Sequence, residues 1–247
     1  MGFYEQISKY YDYIFPVGQA QLEFIKQAAG SPPARILDVA CGSGGYAAEL
    51  SKAGYAVTAV DIDEKMVEKA KEKILSERLS ADILKCDMKE LKEKLPPGFE
   101  CIFCIGNSIV HLDGQDEVLE VLNQMHALME KGGALILQII NYDRIIKYKI
   151  DELPPVTNED VNLKFIRKYE FSENGKHISF NTALTVDENG EKVEFRNSVK
   201  LLPLESRTLH ELLEKAGFGN IEFFGDFKQS VYNENSFMLV ARARKIN

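Results

Sequence analysis

The sequence lacks any run of about 18 apolar residues and any leader resembling a signal peptide, so we expect no membrane insertion. It has no block of basic residues, and its net charge of −8 disfavours nucleic acid as a partner, because phosphate binding needs a basic surface. Its four cysteines form no disulfide or zinc spacing pattern, which indicates reduced cysteines, a cytoplasmic location and no metal site.

The most informative segment that is present covers residues 35–45, where an apolar run breaks into glycines. Residues 36–39 predict a short buried strand, and Gly42 and Gly44 predict the turn that follows it. Glycines there let backbone N–H groups and a helix N-terminus approach a bound ligand. Asp38 lies near the end of the strand, where burying a carboxylate is costly unless a cationic or hydrogen-bonding group meets it.

Two kinds of cofactor fit this glycine pattern. Gly42-x-Gly44-x-x-Ala47 matches a dinucleotide fingerprint, and Asp61 follows at the distance expected of a ribose-binding acid. Asp38 weighs against that alternative, because its carboxylate would repel an anionic pyrophosphate. The same carboxylate would attract an ammonium or a sulfonium group, and S-adenosylmethionine carries both. We therefore favour S-adenosylmethionine over a nicotinamide cofactor.

Strand and helix patterns alternate along the first part of the chain and predict a parallel sheet with helices on both faces. The predicted strands are residues 36–39, 57–60, 81–85, 99–105, 134–140, 221–224 and 237–243, and the predicted helices are residues 21–29, 46–50, 66–74, 117–129 and 206–216. At 247 residues the chain can bury one sizeable core together with a small insertion.

The pattern changes after Asn141, where three segments alternate apolar and polar residues. The alternating sets are Phe165, Arg167, Tyr169 and Phe171, then Ile178, Phe180, Thr182, Leu184 and Val186, then Val193, Phe195, Asn197, Val199 and Leu201. Two hairpin signals, Asn174-Gly175 and Asn189-Gly190, separate these segments. They predict an antiparallel three-stranded β meander.

The predicted fold is therefore of the α/β class, with a doubly wound, Rossmann-like, mostly parallel seven-stranded sheet and the inserted antiparallel three-stranded β meander. We expect four regions along the chain. They are an N-terminal helical lid at residues 1–30, an S-adenosylmethionine-binding α/β core at 31–141, an inserted β substrate cap at 142–204, and the remainder of the α/β core at 205–247.

The residues at the carboxyl ends of the predicted strands predict the binding site, because ligands of open α/β sheets bind there. Asp61 suits a pair of ribose hydroxyls, since one carboxylate can accept both hydrogen bonds. Asp87 can accept from an adenine amino group, and Ile62 and Met66 would cover the faces of the ring. We also expect Tyr11 of the lid near the cofactor.

Six segments of the chain resemble those of one enzyme family. They are RILDVACGSG at residues 35–44, VTAVD at 57–61, IGNSIVHL at 105–112, NYD at 141–143, FR at 195–196 and GDFK at 225–228. With these segments the chain resembles class I S-adenosylmethionine-dependent methyltransferases and, more narrowly, the glycine N-methyltransferase-like group.

The resemblance implies how the cofactor would be held. Asp38 and the backbone from Ala40 to Gly44, with Gly42 between them, would hold the methionine part. Asp61 would bind the ribose, and Asp87 and Met88 would meet the edge of the adenine. The backbone of Ile105 would meet the methionine ammonium, while Asn107 and His111 would line the pocket.

The resemblance also implies where the acceptor would bind. Asn141 and Arg196 would position it, and Arg196 would hold its carboxylate, for which a planar guanidinium is well matched. No dedicated base is expected if the amine arrives unprotonated, because orientation can supply much of the rate enhancement. No Ser-His-Asp arrangement is evident either.

The expected function is thus methyl transfer to a small molecule, with N-methylation of a small carboxylate-bearing amine, such as glycine or sarcosine, as the favoured reaction. O-methylation of another small metabolite is the first alternative. A nicotinamide-dependent oxidoreductase and a cofactor-binding module without turnover are the others. The sequence leaves the oligomeric state open.

Overall fold

The computed structural model describes residues 7–172, 175–188 and 191–246 of the chain. Of the two predicted hairpin turns, Asn174 and the pair Asn189-Gly190 lie outside the described residues, so their turn types stay predictions. Within the described part, none of the helices is long and apolar enough to cross a bilayer.

The described residues form eleven strands. In chain order, β1 to β11 are Arg35–Val39, Ala56–Asp61, Ala81–Lys85, Phe99–Cys104, Met129–Ile140, Glu152–Asn158, Leu163–Phe171, Ile178–Glu188, Glu191–Leu201, Phe218–Phe224 and Met238–Lys245. The α-helices α1 to α8 of the same residues are Tyr11–Ile14, Gln19–Ala29, Gly45–Lys52, Glu64–Ser76, Leu91–Lys94, Gln115–Leu128, Tyr142–Lys147 and Ser206–Lys215.

Seven strands form one sheet in the order β10-β11-β5-β4-β1-β2-β3. β1 to β5 pair in parallel, whereas β11 lies antiparallel between β5 and β10. The sheet confirms the predicted α/β class and the seven-stranded, mostly parallel arrangement. Because the strand order reverses between β1 and β4, a crevice opens beyond the carboxyl ends of these two strands.

Hydrophobic patterning explains the central strands and their helices. Ile36, Leu37 and Val39 of β1 are all buried, as expected for a strand that helices cover on both faces. The helix α4 begins where the side chain of Asp63 accepts hydrogen bonds from the N–H groups of Lys65 and Met66, at 2.9 and 3.1 Å. These elements place the ends of β1 and β2 side by side.

The predicted strands are all present, and their ends differ from the prediction by a few residues. The largest shift is in β5, which begins at Met129 instead of residue 134. Gly132 and Gly133, expected to follow a helix, lie inside this strand, next to an irregular register with β4. Sequence patterns fix the core of an element better than its termini, because end residues are only partly buried.

The antiparallel sheet has four strands, in the order β6-β7-β8-β9, so the predicted count of three was wrong. The missed strand, β6, contains Pro154 and Pro155, which lack the N–H groups that a central strand donates. The prolines are tolerated because β6 is an edge strand, and its register with β7 shifts between Leu153 and Val156.

The antiparallel sheet joins two hydrophobic clusters. At one end, Tyr169, Ile178 and Leu201 belong to the main core of the α/β unit. At the other end a second group of buried residues, which we call the N-terminal cluster, brings together strand and N-terminal side chains: Leu163, Phe165, Leu184 and Val186 with Ile7, Tyr10 and Ile14. The sheet therefore packs against both the core and the segment that precedes α2.

Candidate functional site

The turn after β1 has the backbone conformation that its glycines require. Gly42 and Gly44 have φ angles of +55° and +74°, in the left-handed region that side chains disfavour. Ala40 occupies the same region with φ of +61°. The N–H of Cys41 donates to the carbonyl of Val60 at 2.9 Å, which fixes the turn beside the end of β2. Gly44 then precedes α3.

Asp38 lies within β1 just before this turn, and only 2% of its surface is exposed. Its Oδ2 atom has no hydrogen-bond partner among the described residues. Burial, together with the nearby carboxylate of Asp61, raises the pKa of Asp38 well above its usual value. An unpaired buried carboxylate is costly, so this position suits a ligand that brings a positive charge.

Asp61 connects the end of β2 to the glycine turn. Its Oδ2 accepts a hydrogen bond from the N–H of Gly42 at 2.8 Å, and its Oδ1 accepts from the N–H of Asp63 at 2.9 Å. Burial raises the pKa of Asp61, although these two hydrogen bonds oppose the shift. Each carboxylate oxygen keeps a further lone pair, which leaves Asp61 able to accept hydrogen bonds from the hydroxyl groups of a ligand.

A cavity of about 230 Å³ opens beside these carboxylates, beyond the ends of β1, β2 and β3. Six residues predicted to bind the cofactor line it: Ala40, Asp61, Ile62, Asp87, Met88 and His111. His111 has an exposed face, while the surrounding protein desolvates the rest of the ring and lowers its pKa. Met66 is buried in α4 and is not part of the cavity lining.

The segment after β4 is anchored to the end of β5. The side-chain amide of Asn107 donates from Nδ2 to the hydroxyl of Tyr142 at 3.1 Å, and its Oδ1 accepts from the N–H of Ile140 at 3.0 Å. Ile105, which precedes this link, is partly buried against the core. Asn107 thus holds two strand ends together, which positions the backbone around Ile105 near the crevice.

The segment before α2 covers the glycine turn. The hydroxyl of Tyr11 lies 2.6 Å from the place that a Cβ atom on Gly42 would occupy. Ser43 Oγ donates a hydrogen bond to Asp12 Oδ1, and Lys73 Nζ lies 3.0 Å from Asp12 Oδ2. The structure therefore brings Tyr11 against the turn on which the predicted cofactor site is built.

The two residues predicted to position the acceptor have different surroundings. Asn141 is fully buried, and its Oδ1 accepts hydrogen bonds from the hydroxyl of Tyr232 at 2.7 Å and the N–H of Arg144 at 3.1 Å. Its Nδ2 donates to the carbonyl of Ser236 at 2.9 Å. The amide thus caps α7 and holds the loop before β11.

Arg196 lies on the solvent-exposed face of β9, with 78% of its side chain accessible, and it pairs with Glu194 on the same strand. The neighbouring Phe195 and Asn197 point to the opposite, packed face, because successive side chains alternate along a strand. This placement does not support the expected contact between Arg196 and an acceptor carboxylate.

The sequence prediction missed three polar residues on the packed face of the antiparallel sheet, namely Arg167, Tyr169 and Thr182. All three were members of the alternating sets, at positions where the pattern predicts burial. Their polar character at such positions was the available signal. Among the residues that the structure describes, no three His, Cys, Asp or Glu side chains come together in a way that could hold a metal ion.

Comparisons with known proteins give a consistent result. The family model described as "Methyltransferase domain" matches residues 36–133. The glycine/sarcosine N-methyltransferase of Aphanothece halophytica is 25% identical over 90% of this chain and 80% of its own length. The rabbit (Oryctolagus cuniculus) glycine N-methyltransferase is 32% identical over 45% of this chain and 42% of its own.

One solved structure has the same fold as this chain over nearly the whole length of both proteins. The S-adenosylmethionine-dependent methyltransferase from Clostridium acetobutylicum superposes with a TM-score of 0.82 at 16% identity, and the match covers 98% of both chains. At that identity the likeness concerns the fold, including the antiparallel sheet as well as the α/β core.

Proposed function

Because the chain is a class I S-adenosylmethionine-dependent methyltransferase, we propose that it methylates the nitrogen of a small amine that carries a carboxylate, as glycine and sarcosine do. Its substrate is a small molecule. The two relatives named glycine/sarcosine N-methyltransferase that match 90% of the chain support this acceptor class.

The observation that carries the assignment of the cofactor site is the unpaired Oδ2 atom of Asp38 at the end of β1. A carboxylate buried there without a partner fits the cationic methionine part of S-adenosylmethionine, whose positive charge would offset the cost of burial. A pyrophosphate would meet repulsion at the same place. The residues present therefore fit S-adenosylmethionine.

We assign the remaining cofactor contacts by their position around the cavity. Asp61 would bind the ribose hydroxyls, since its carboxylate oxygens have lone pairs left over from the backbone hydrogen bonds. Asp87 and Met88 would meet the adenine edge, and Ile62 and His111 line the same cavity. Tyr11 would cover the cofactor from the side of Gly42.

When bound, S-adenosylmethionine supplies a methyl group, which forms a bond to the acceptor nitrogen as its bond to sulfur breaks and the amine loses a proton. The chain's contribution is to bind both partners, to align them at about 3–3.5 Å and to exclude water. The backbone near Ile105, fixed by Asn107, would orient the methionine part for this alignment. None of these tasks requires a dedicated base if the amine arrives unprotonated.

Isothermal titration calorimetry with S-adenosylmethionine, NAD and NADP tests the cofactor. We expect heat with S-adenosylmethionine alone, and the variant Asp38→Asn should weaken its binding about 10- to 150-fold, the value of a hydrogen bond to a charged group. Asp82→Asn, which alters an exposed carboxylate on β3 of the same sheet, is the matched control and should bind normally. A response to NAD with none to S-adenosylmethionine would overturn the assignment.

A methylation screen tests the acceptor. Purified protein is incubated with labelled S-adenosylmethionine and a panel containing glycine, sarcosine, other amino acids, neutral amines and small hydroxyl compounds. We expect transfer to nitrogen of the amino acids. Methylation of hydroxyl compounds alone would replace N-methylation by O-methylation, and cofactor binding without any product would indicate a binding module.

A further inference from the structure

A row of polar residues crosses the packed face of the antiparallel sheet. Arg167 of β7 pairs with Thr182 of β8, and Thr182 pairs with Asn197 of β9. The cross-strand rows on either side are mostly apolar, Phe165, Leu184 and Phe195 on one side and Tyr169, Phe180 and Val199 on the other. A polar row between hydrophobic rows is unusual on a packed face, where apolar residues would pack better.

The neighbouring rows are buried against different parts of the molecule. Phe165 and Leu184 pack into the N-terminal cluster, whereas Tyr169 belongs to the main core. The polar row therefore lies between the N-terminal segment and the α/β core. It faces the interior, away from the exposed face that carries Arg196.

Three buried polar atoms in and beside this row lack hydrogen-bond partners among the described residues. Thr182 Oγ1, Tyr169 Oη and Arg167 Nε are buried atoms that make no hydrogen bond to any described residue. Thr182 and Tyr169 are only 4% and 3% exposed. Each unpaired buried group costs free energy on folding, and three of them together indicate a ligand that satisfies them when it binds.

Arg167 places a positive charge in this polar row, where no described carboxylate pairs with it. Its Nη2 donates to the carbonyl of Pro154 at 2.7 Å, which orients the guanidinium, but no described carboxylate forms an ion pair with it. Burial of part of the side chain lowers the pKa of Arg167. A half-buried cation without a counter-ion favours an anionic ligand, and the planar guanidinium matches the geometry of a carboxylate.

The row is connected to the cofactor end of the sheet. Tyr169, which lies beside the row, is buried in the same main core as Tyr142. The hydroxyl of Tyr142 in turn accepts the hydrogen bond from Asn107 at the end of β4. The packed face that carries Arg167 is therefore turned toward the core that contains this link to the end of β4.

We propose that Arg167, with the hydroxyls of Thr182 and Tyr169, binds the carboxylate of the methyl acceptor in place of Arg196. The inference rests on the proposed function and makes it more specific, because it names the residues that select a carboxylate. The guanidinium donates two hydrogen bonds and the hydroxyls donate the others. An acceptor amide or ester, which lacks the charge and the second equivalent oxygen of a carboxylate, would leave some of these donors unsatisfied.

Two variants test the row in the full chain, each with a matched control on the other face of the same sheet. Arg167→Met should raise the KM for glycine or sarcosine about 10- to 150-fold, and Thr182→Val about 2- to 12-fold, with cofactor affinity unchanged. The controls Arg196→Met and Thr185→Val should behave as the wild type. Equal KM values in Arg167→Met and the wild type would overturn the inference.

Thermal melting separates binding from folding. Thr182→Val removes an unpaired hydroxyl and nearly conserves volume, so its melting temperature should equal or exceed that of the wild type while its KM rises. A lower melting temperature with an unchanged KM would assign the hydroxyl a structural role and contradict the proposal.

A third measurement does not depend on the acceptor's identity. Saturation-transfer NMR of the protein with S-adenosylhomocysteine should detect binding of acetate to the wild type and to Arg196→Met, but not to Arg167→Met, and should detect no binding of acetamide. If neither glycine nor sarcosine is methylated while acetate shows this pattern, the proposed acceptor fails and the carboxylate site stands. Acetate binding that survives Arg167→Met, or is absent from the wild type, overturns the site itself.

Discussion

At the scale of single residues, two buried carboxylates define the electrostatics of the site. Asp61 is stabilised by backbone N–H groups, whereas Asp38 has an oxygen without any partner among the described residues and a raised pKa. Stability alone would favour a neutral group at residue 38. The carboxylate therefore reduces folding stability, and the cationic cofactor proposed for this site would account for its presence.

The pH dependence of stability tests this interpretation. Because the pKa of Asp38 is raised in the folded state, the unfolded chain ionises first, and the wild type loses stability as pH rises from about 4 through the folded-state pKa. Asp38→Asn should therefore be more stable than the wild type by about 1–3 kcal/mol at pH 8, and the difference should vanish near pH 4.

Urea unfolding without ligand at several pH values measures this difference. Asp82→Asn is again the control, because its exposed carboxylate should change stability little at any pH. A gain from Asp38→Asn that does not depend on pH would mean that ionisation of Asp38 is not the source of the cost.

At the scale of elements, the strand-turn-helix unit from β1 to α3 carries the site. Residue 42 in particular requires glycine for two reasons. Its φ angle is positive, and the hydroxyl of Tyr11 occupies the space where a Cβ atom on residue 42 would lie. The N-terminal segment, held by Asp12 and Lys73, closes over that glycine. Turn and covering segment therefore form one structural unit although their residues are distant in sequence.

Substitutions at Gly30 and Gly42 distinguish the stability cost of backbone strain from the cost of the contact with Tyr11. Gly30 has φ of +83°, and a Cβ added there would meet no atom within 4 Å, whereas a Cβ on Gly42 would meet Tyr11 at 2.6 Å. We expect Gly30→Ala to cost about 1–2 kcal/mol of stability and to leave cofactor affinity unchanged. Gly42→Ala should cost more and also weaken S-adenosylmethionine binding, as measured by unfolding and calorimetry.

A double variant tests why Gly42→Ala should lose more stability than Gly30→Ala. Tyr11→Ala in the Gly42→Ala protein should recover part of the stability that Gly42→Ala loses, because it removes the atoms that the new Cβ meets. Additive effects of the two substitutions would show that the contact with Tyr11 does not cause the stability loss of Gly42→Ala.

At the scale of the whole molecule, the antiparallel sheet packs against the main core at one end and against the N-terminal segment at the other. Tyr169 and Leu201 pack into the main core, while Phe165 and Leu184 pack with the N-terminal segment. Separation of the sheet from the core would expose a large apolar surface to water, because most rows of its packed face are apolar. The two sheets should therefore depend on each other for stability.

We expect a single cooperative unfolding transition for the described part of the chain, with amides of β7 and β8 protected from hydrogen exchange as strongly as those of β1 and β4. S-adenosylmethionine at about 100 times its Kd should raise the free energy of unfolding by about 2.7 kcal/mol. Hydrogen exchange of amides in both sheets should report the same increase. Hydrogen exchange that is faster in β7 and β8, or protected by cofactor only in β1 and β4, would show that the sheets unfold independently.

The sequence by itself determined the local features of this protein. Its hydrophobic periodicity predicted the order of most strands and helices, and the glycines predicted the turn after β1. Asp38 near the end of that strand predicted a cofactor with a positive charge. These features depend on neighbours within a few residues, which is why they are readable along the chain. The alternation even placed Arg167 and Thr182 on the face predicted to be buried.

Only the tertiary structure decided which polar residues are left without partners. β6 was recognisable only once its prolines were seen at the edge of a sheet, and Asn141 acquires its partners from a loop about 90 residues away. Arg196 is exposed and Arg167 is half-buried because the sheet packs one of its faces against the core and the N-terminal segment. Burial and hydrogen bonding between distant segments depend on the folded chain, and no local pattern contains them.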